Sequence, residues 1–192
     1  MLVQLSVKNY LSFRDEATLS LLASKLKSKN KELDKNSTFE TVHGLSLLRT
    51  AVIYGANASG KSNIFKALRF MKMMVVNSSK ESQADAEQID VAPFLLNTKS
   101  RDEPSSFEVI FVHDKCLFEY KLSCTSEKIV QESLSMRAEG ESREKILFER
   151  EFGEIEVTKH FPEGKGLERR TGRMLYLFRF AQTLMVIYLP KL

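Results

Sequence analysis

The chain has 192 residues, 43% of them hydrophobic and 28% charged. That is an ordinary soluble composition with length for one domain and a sizeable core, and it excludes a collagen-like or low-complexity chain. Two cysteines, Cys116 and Cys124, exclude a disulfide framework, and a net charge of +4 suits a nucleotide or nucleic-acid partner without requiring one.

Residues 2–7 alternate, with Val3, Leu5 and Val7 opposite Gln4 and Ser6. The pattern predicts a half-buried strand, and it is not the apolar block of a secretory signal. A reducing cytoplasm is the expected compartment. Asn9-Tyr10-Leu11-Ser12-Phe13-Arg14-Asp15 reads as a loop, and Ala17, Leu19 and Leu21 as a second strand antiparallel to the first. Ser24 to Gly44 is polar, with Lys25, Lys27, Lys29, Lys31 and Lys35. It reads as a solvated loop, with a flank of a nucleotide or nucleic-acid site as the sharper alternative.

Ala51-Val52-Ile53-Tyr54 is an apolar run that predicts a short buried strand. Directly after it comes Gly55-Ala56-Asn57-Ala58-Ser59-Gly60-Lys61-Ser62, a full match to the phosphate-binding P-loop G-x-x-x-x-G-K-[ST]. Gly55 and Gly60 permit dihedrals that a side chain forbids, so the loop amides can turn inward around a polyphosphate. The following pattern predicts a helix to about Val76, with Ile64, Leu68, Met71 and Val75 on one face. Its first turn aims unpaired N–H groups and a positive dipole end at the same point. Lys61 would place a charge on the β- and γ-phosphates, and the Ser62 hydroxyl would hold Mg²⁺.

Residues 77–106 read as a polar linker holding one apolar island, Val91-Ala92-Pro93-Phe94-Leu95-Leu96. Residues 107–160 read as an antiparallel meander: Phe107–Val112, Leu117–Leu122, Ile129–Leu134, Ile146–Glu149 and Ile155–Val157, separated by short turns. Met174 to Pro190 is apolar but shorter than the ~20 residues of a membrane helix, and it contains Arg179 and Gln182. No membrane association is expected.

The loop Gly55-x-Asn57-x-Ser59-Gly60-Lys61-Ser62-Asn63 is similar to that of ABC-class ATPases of the RecF, SMC and OLD kind. The opening strand, Asn9-Tyr10-x-Ser12-Phe13 and second strand resemble the first lobe of those heads. Pro93-Phe94-Leu95-Leu96, Pro104-Ser105-Ser106-Phe107-Glu108, Lys128-Ile129-x-x-Glu132-x-Leu134 and Leu147-Phe148-x-Arg150 resemble an abortive-infection-associated, OLD-like branch of AAA-family ATP-binding proteins. The resemblance implies a mixed α/β fold: the N-terminal lobe of an ABC-type P-loop ATPase with an antiparallel meander, spanning residues 1–173 as an incomplete domain. It further implies ATP and Mg²⁺ as cofactors, a homodimer of full-length heads that hydrolyses ATP, and a nuclease or nucleic-acid partner in DNA repair or phage defence.

The chain departs from that pattern. It has no Walker B strand and no signature sequence; Asp114 falls in a hairpin turn, and Glu132-Ser133-Leu134-Ser135-Met136 is a poor signature match in a strand. Hydrolysis needs a positioned water and a metal clamp besides the cradle. Binding without efficient turnover is therefore the expectation, the alternatives being a truncated non-catalytic fragment and, less favoured, a small P-loop kinase. Near Arg173 a one-base shift in the coding frame would restore the residues with which relatives continue. Residues 174–192 are accordingly expected to be frameshifted.

Further candidates are Arg14, for a nucleotide phosphate or as a surface arginine, and Gln131, as a γ-phosphate sensor, with Glu132 its rival. His113, Cys116 and Cys124 fit no zinc spacing. Lys165, Arg169, Arg170 and Arg173 form a basic cluster that reads as a solvated turn before it reads as a DNA contact.

Overall fold

A computed structural model describes residues 1–25, 29, 32, 36–77, 88–151 and 153–162. The tail at 174–192, the basic cluster from Lys165 to Arg173, and Lys27, Lys31 and Lys35 lie outside the described residues.

A seven-stranded sheet carries the fold. Its strands are β1 (Leu2–Lys8), β2 (Ala17–Ser20), β5 (Ser105–His113), β6 (Cys116–Cys124), β7 (Ile129–Arg137), β8 (Lys145–Glu151) and β9 (Glu154–Val157), in the order β2-β1-β5-β6-β7-β8-β9. Every neighbouring pair is antiparallel. The predicted meander is therefore present, and the first two strands join its edge. Period-two alternation sets the register. One row across the sheet reads Leu5, Val109, Tyr120, Leu134 and Phe148; the next reads Val7, Phe107, Leu122, Glu132 and Arg150. A one-residue slip would turn these rows to water, so burial fixes the pairing. The β5–β6 connection is a two-residue hairpin turn with Asp114 at φ 43° and Lys115 at φ 63°, the geometry whose twist suits the flanking strands.

The helix α1 (Lys61–Asn77) covers this face. Ile64, Ala67, Phe70, Met71 and Val75 are buried and Leu68 is half-buried, as the helical spacing predicts. Tyr10, Phe70 and Phe107 form a three-ring cluster with centroids 4.8–5.7 Å apart, joining the β1–β2 loop, the helix and β5. Such pairs each add about 0.5–1.5 kcal/mol beyond their buried area.

Two features depart from the sequence expectation. The polar stretch after Ser24 is not all loop: β3 (Thr38–Glu40) and β4 (Ser46–Leu48) form a hairpin that hooks onto the chain after β2. Leu47 is fully buried there. Three-residue strands are too short to show a period.

The second departure is a correction. Ala51–Tyr54 joins neither sheet, and only Ile53 packs, partly buried, against the core: Val52 is 66% exposed and Tyr54 87%. A buried strand needs partners for its amides on both sides and cover on both faces. Among the described residues no strand lies beside this run, so apolar composition alone cannot bury it. The island at 91–96 likewise splits. Val91 enters the core, whereas Leu95 and Leu96 are 57% and 90% exposed.

Candidate functional site

Residues 55–63 form a tight loop opening directly into α1. Gly60 has φ +88° and Ala58 φ +62°, which turns the chain sharply between Asn57 and Lys61. Ser59 N–H donates to the Ala56 carbonyl at 3.3 Å, and Asn63 N–H to the Gly60 carbonyl at 2.8 Å. A Cβ on Gly55 would stand 2.8 Å from Ser59 Oγ, and one on Gly60 2.5 Å from Ser12 Oγ. In either case the serine hydroxyl would have to turn away, and Gly60 is in addition in the left-handed region, where an added side chain is strained. Gly60 is thus required by its dihedral, whereas Gly55, expected from the sequence to need one as well, lies outside the left-handed region and keeps only the close approach of Ser59 Oγ.

The electrostatics of the loop are cationic. The first turn of α1 contains no acidic side chain, so nothing in it neutralises the positive end of the helix dipole. The Lys61 ammonium folds over the loop, 2.8 Å from the Gly55 carbonyl, 2.5 Å from that of Ala56 and 3.5 Å from Ser59 Oγ. It spans the mouth of the loop, where a phosphate chain would lie. Ser62 is exposed at the helix start. A tight loop of small residues, a lysine across it and a helix N-terminus behind it fit the phosphates of a nucleotide, and Ser62 is the residue that would hold Mg²⁺.

The remaining candidates are dispersed. Arg14 is exposed and pairs with Asp15, Nη2 to Oδ2 at 2.8 Å. Gln131 is exposed on β7, opposite Ser123 and Glu151, on the sheet face turned away from α1. Asp114 is at the β5–β6 turn, 88% exposed beside His113. The β1–β2 loop, which touches Gly60, is at the Ser105 end of β5. A nine-residue strand separates the two, on the order of 25 Å, so Asp114 cannot clamp a metal at this loop. Cys116 and Cys124 are free thiols, and no metal-holding cluster of His, Cys, Asp or Glu occurs among the described residues. No helix among them is long and apolar enough to cross a membrane.

Glu132 proves to be a core residue. It is 4% exposed, and its Oε1 accepts a hydrogen bond from Tyr120 Oη at 2.7 Å. Its cross-strand partner Arg150 approaches Oε2 with Nε at 3.6 Å, an ion pair too long for a hydrogen bond. Burial pushes the Glu132 carboxyl above its ordinary range, against the pull of Arg150 and Tyr120. Burial also drives the Tyr120 hydroxyl well up, reinforced by Glu132, and the Cys124 thiol to about 12.

Two features of the site were not legible from spacing. Asn63 Nδ2 donates to Ser12 Oγ at 2.8 Å, linking α1 to a loop far away in sequence. Asn9, only 1% exposed, anchors that loop by donating to the carbonyls of Ser100 and Glu103 at 2.7 and 2.8 Å. Its Oδ1 accepts from Phe94 N–H at 3.1 Å. The phrase Asn9-Tyr10-x-Ser12-Phe13 carried the signal, but only as a resemblance.

The P-loop and the helix behind it define a P-loop ATPase-type nucleotide-binding domain. Residues 51–173 match the family model described as "AAA domain, putative AbiEii toxin, Type IV TA system", and the chain belongs to that AAA domain family. No curated protein matches the chain.

Proposed function

We propose that the chain binds ATP with Mg²⁺ through residues 55–63, as the N-terminal lobe of an ABC-class head of the RecF/SMC/OLD-like kind. The observation that carries this is the loop itself: Gly60 at a left-handed dihedral opening into the helix, and the Lys61 ammonium across the mouth. Lys61 would exchange the two loop carbonyls for phosphate oxygens, the amides of Gly60, Lys61 and Ser62 would receive the same anion, and Ser62 would hold the metal. When bound there, Mg²⁺ would supply positive charge that offsets that of the phosphates.

The chain alone binds and does not turn over. Of the acidic candidates, Asp114 is at the far end of β5 and Glu132 is held by Tyr120 and Arg150. Hydrolysis would belong to a full-length homodimer, working in DNA repair or phage defence with a nuclease or nucleic-acid partner. The exposed run Ala51–Tyr54 supports a head completed by further strands. The family's description names a toxin of a type IV TA system, which is compatible with a defence role.

ATP with Mg²⁺ should raise the melting temperature of the 192-residue chain by mass action. Lys61→Ala should remove that rise, and steady-state phosphate release should stay at background. An ATP-independent melting temperature would refute the binding reading; robust turnover by the isolated chain would refute the separation of binding from hydrolysis.

A further inference from the structure

The β1–β2 loop enters the phosphate site at one atom, the Ser12 hydroxyl. Ser12 Oγ is 2.5 Å from where a Gly60 Cβ would stand, and Phe13 Cε1 is 3.8 Å from the same point. The hydroxyl accepts the Asn63 side-chain N–H at 2.8 Å. A serine hydroxyl has one proton to give and two lone pairs. Accepting from Asn63 leaves the proton available, and Ser12 is exposed on the solvent side of the loop.

The backbone on either side of Ser12 is tied down by hydrogen bonds. Tyr10 and Phe13 exchange two backbone hydrogen bonds of 2.9 Å around it. Leu11, at φ 51°, donates its N–H to the Ala92 carbonyl at 2.8 Å. Asn9, at φ 50°, fixes the start of the loop to residues 94–103, and Ser105 Oγ donates to the Asn9 carbonyl at 2.5 Å. Non-glycine residues hold left-handed dihedrals only when their surroundings over-determine them. Here two occur in one short loop, and the outcome is a backbone that brings the Ser12 hydroxyl against Gly60, the P-loop glycine in the left-handed region.

We propose that Ser12 is a positioning residue for the nucleotide phosphates. Through Asn63 it holds the Gly60–Asn63 turn in its phosphate-receiving shape, and its hydroxyl proton is left to be donated to the anion. Asn63 and Ser12 then act as one latch. This inference rests on the ATP-binding reading above and assigns that site a residue from outside the P-loop motif.

The competing account is that the pair merely docks the helix. An exposed side-chain hydrogen bond adds little to folding, so the two accounts part at the nucleotide. Titration of the full chain with ATP and Mg²⁺ should show Ser12→Ala weakening affinity about tenfold, with the melting temperature of the nucleotide-free protein unchanged. Asn63→Ala should lose about as much, and the double variant about tenfold again in total rather than a hundredfold, because one latch is broken only once. Ser12→Thr, which keeps the hydroxyl, should stay near the unaltered chain. Should Ser12→Ala fold poorly, Asn63→Ala reads the same latch from the helix side. Undiminished affinity in either single variant, or losses that multiply, would overturn the latch and leave ATP binding standing. Absence of binding by the unaltered chain would overturn both.

Discussion

The sheet and the P-loop segment are opposites in how their structure is secured. Strands β5 to β9 pair with chain neighbours through short turns, and the rows from Leu5 to Phe148 bury one continuous face. Ala51–Tyr54 has stronger apolar character than most of those strands, yet it stays unpaired and mostly exposed. Composition makes a strand available; only adjacent strands make it form. The segment that leads into the P-loop is thus held without strand pairing, anchored through Ile53, α1, the ring cluster and Ser12.

Core truncation should separate the two regions most sharply. Phe148 is fully buried in the sheet. Phe148→Ala should cost about 3–5 kcal/mol in urea unfolding. A cost below about 1 kcal/mol would mean that the sheet is not the stable body described here.

Next comes the buried pair. Arg150→Met leaves the Glu132 carboxylate without its counter-charge and should cost about 3 kcal/mol near neutral pH. The sign of the pH dependence follows from the raised Glu132 value. The folded state keeps a proton that the unfolded state has released, so this group's contribution is complete below the unfolded value and is lost as pH rises through the folded one. Without Arg150 the folded value climbs further. The deficit of Arg150→Met should therefore shrink toward pH 4, as read by denaturation at several pH values; a deficit that grows on acidification would contradict the arrangement.

Thiol labelling probes the same face without mutation. Cys124 is fully buried with its thiol pushed to about 12, whereas Cys116 is raised more modestly, by burial and nearby Asp114 and Glu141. At pH 8 a thiol reagent should modify Cys116 slowly and reach Cys124 only on unfolding. Fast labelling of both would place β6 outside the core.

The smallest effect is expected in the other region. Val52→Ser with Tyr54→Ser should change stability by no more than about 0.5 kcal/mol, because both side chains are already in water. A loss of about 2 kcal/mol or more would restore the buried strand that the sequence predicts.

What was legible in the sequence follows the same divide. The meander was readable because each strand meets its partner within a few residues, so alternation and turn residues suffice. The face of α1 was readable from its period, and the P-loop from its motif, since the chemistry tolerates few residue types at Gly55, Gly60 and Lys61. The burial of Ala51–Tyr54 was misjudged because it depends on strands remote in sequence. The Glu132–Arg150 pair was hidden because register, not spacing, brings them together, and the same holds for Ser12 and Asn63.

Calorimetric titration of the full chain with ATP in the presence of Mg²⁺, alongside Lys61→Ala, tests the central claim most directly. Saturable binding by the unaltered chain with one nucleotide per P-loop, lost in Lys61→Ala while the fold persists, is the result predicted. No heat of binding in the unaltered chain, or equal binding by Lys61→Ala, would contradict the assignment of residues 55–63 as the nucleotide site.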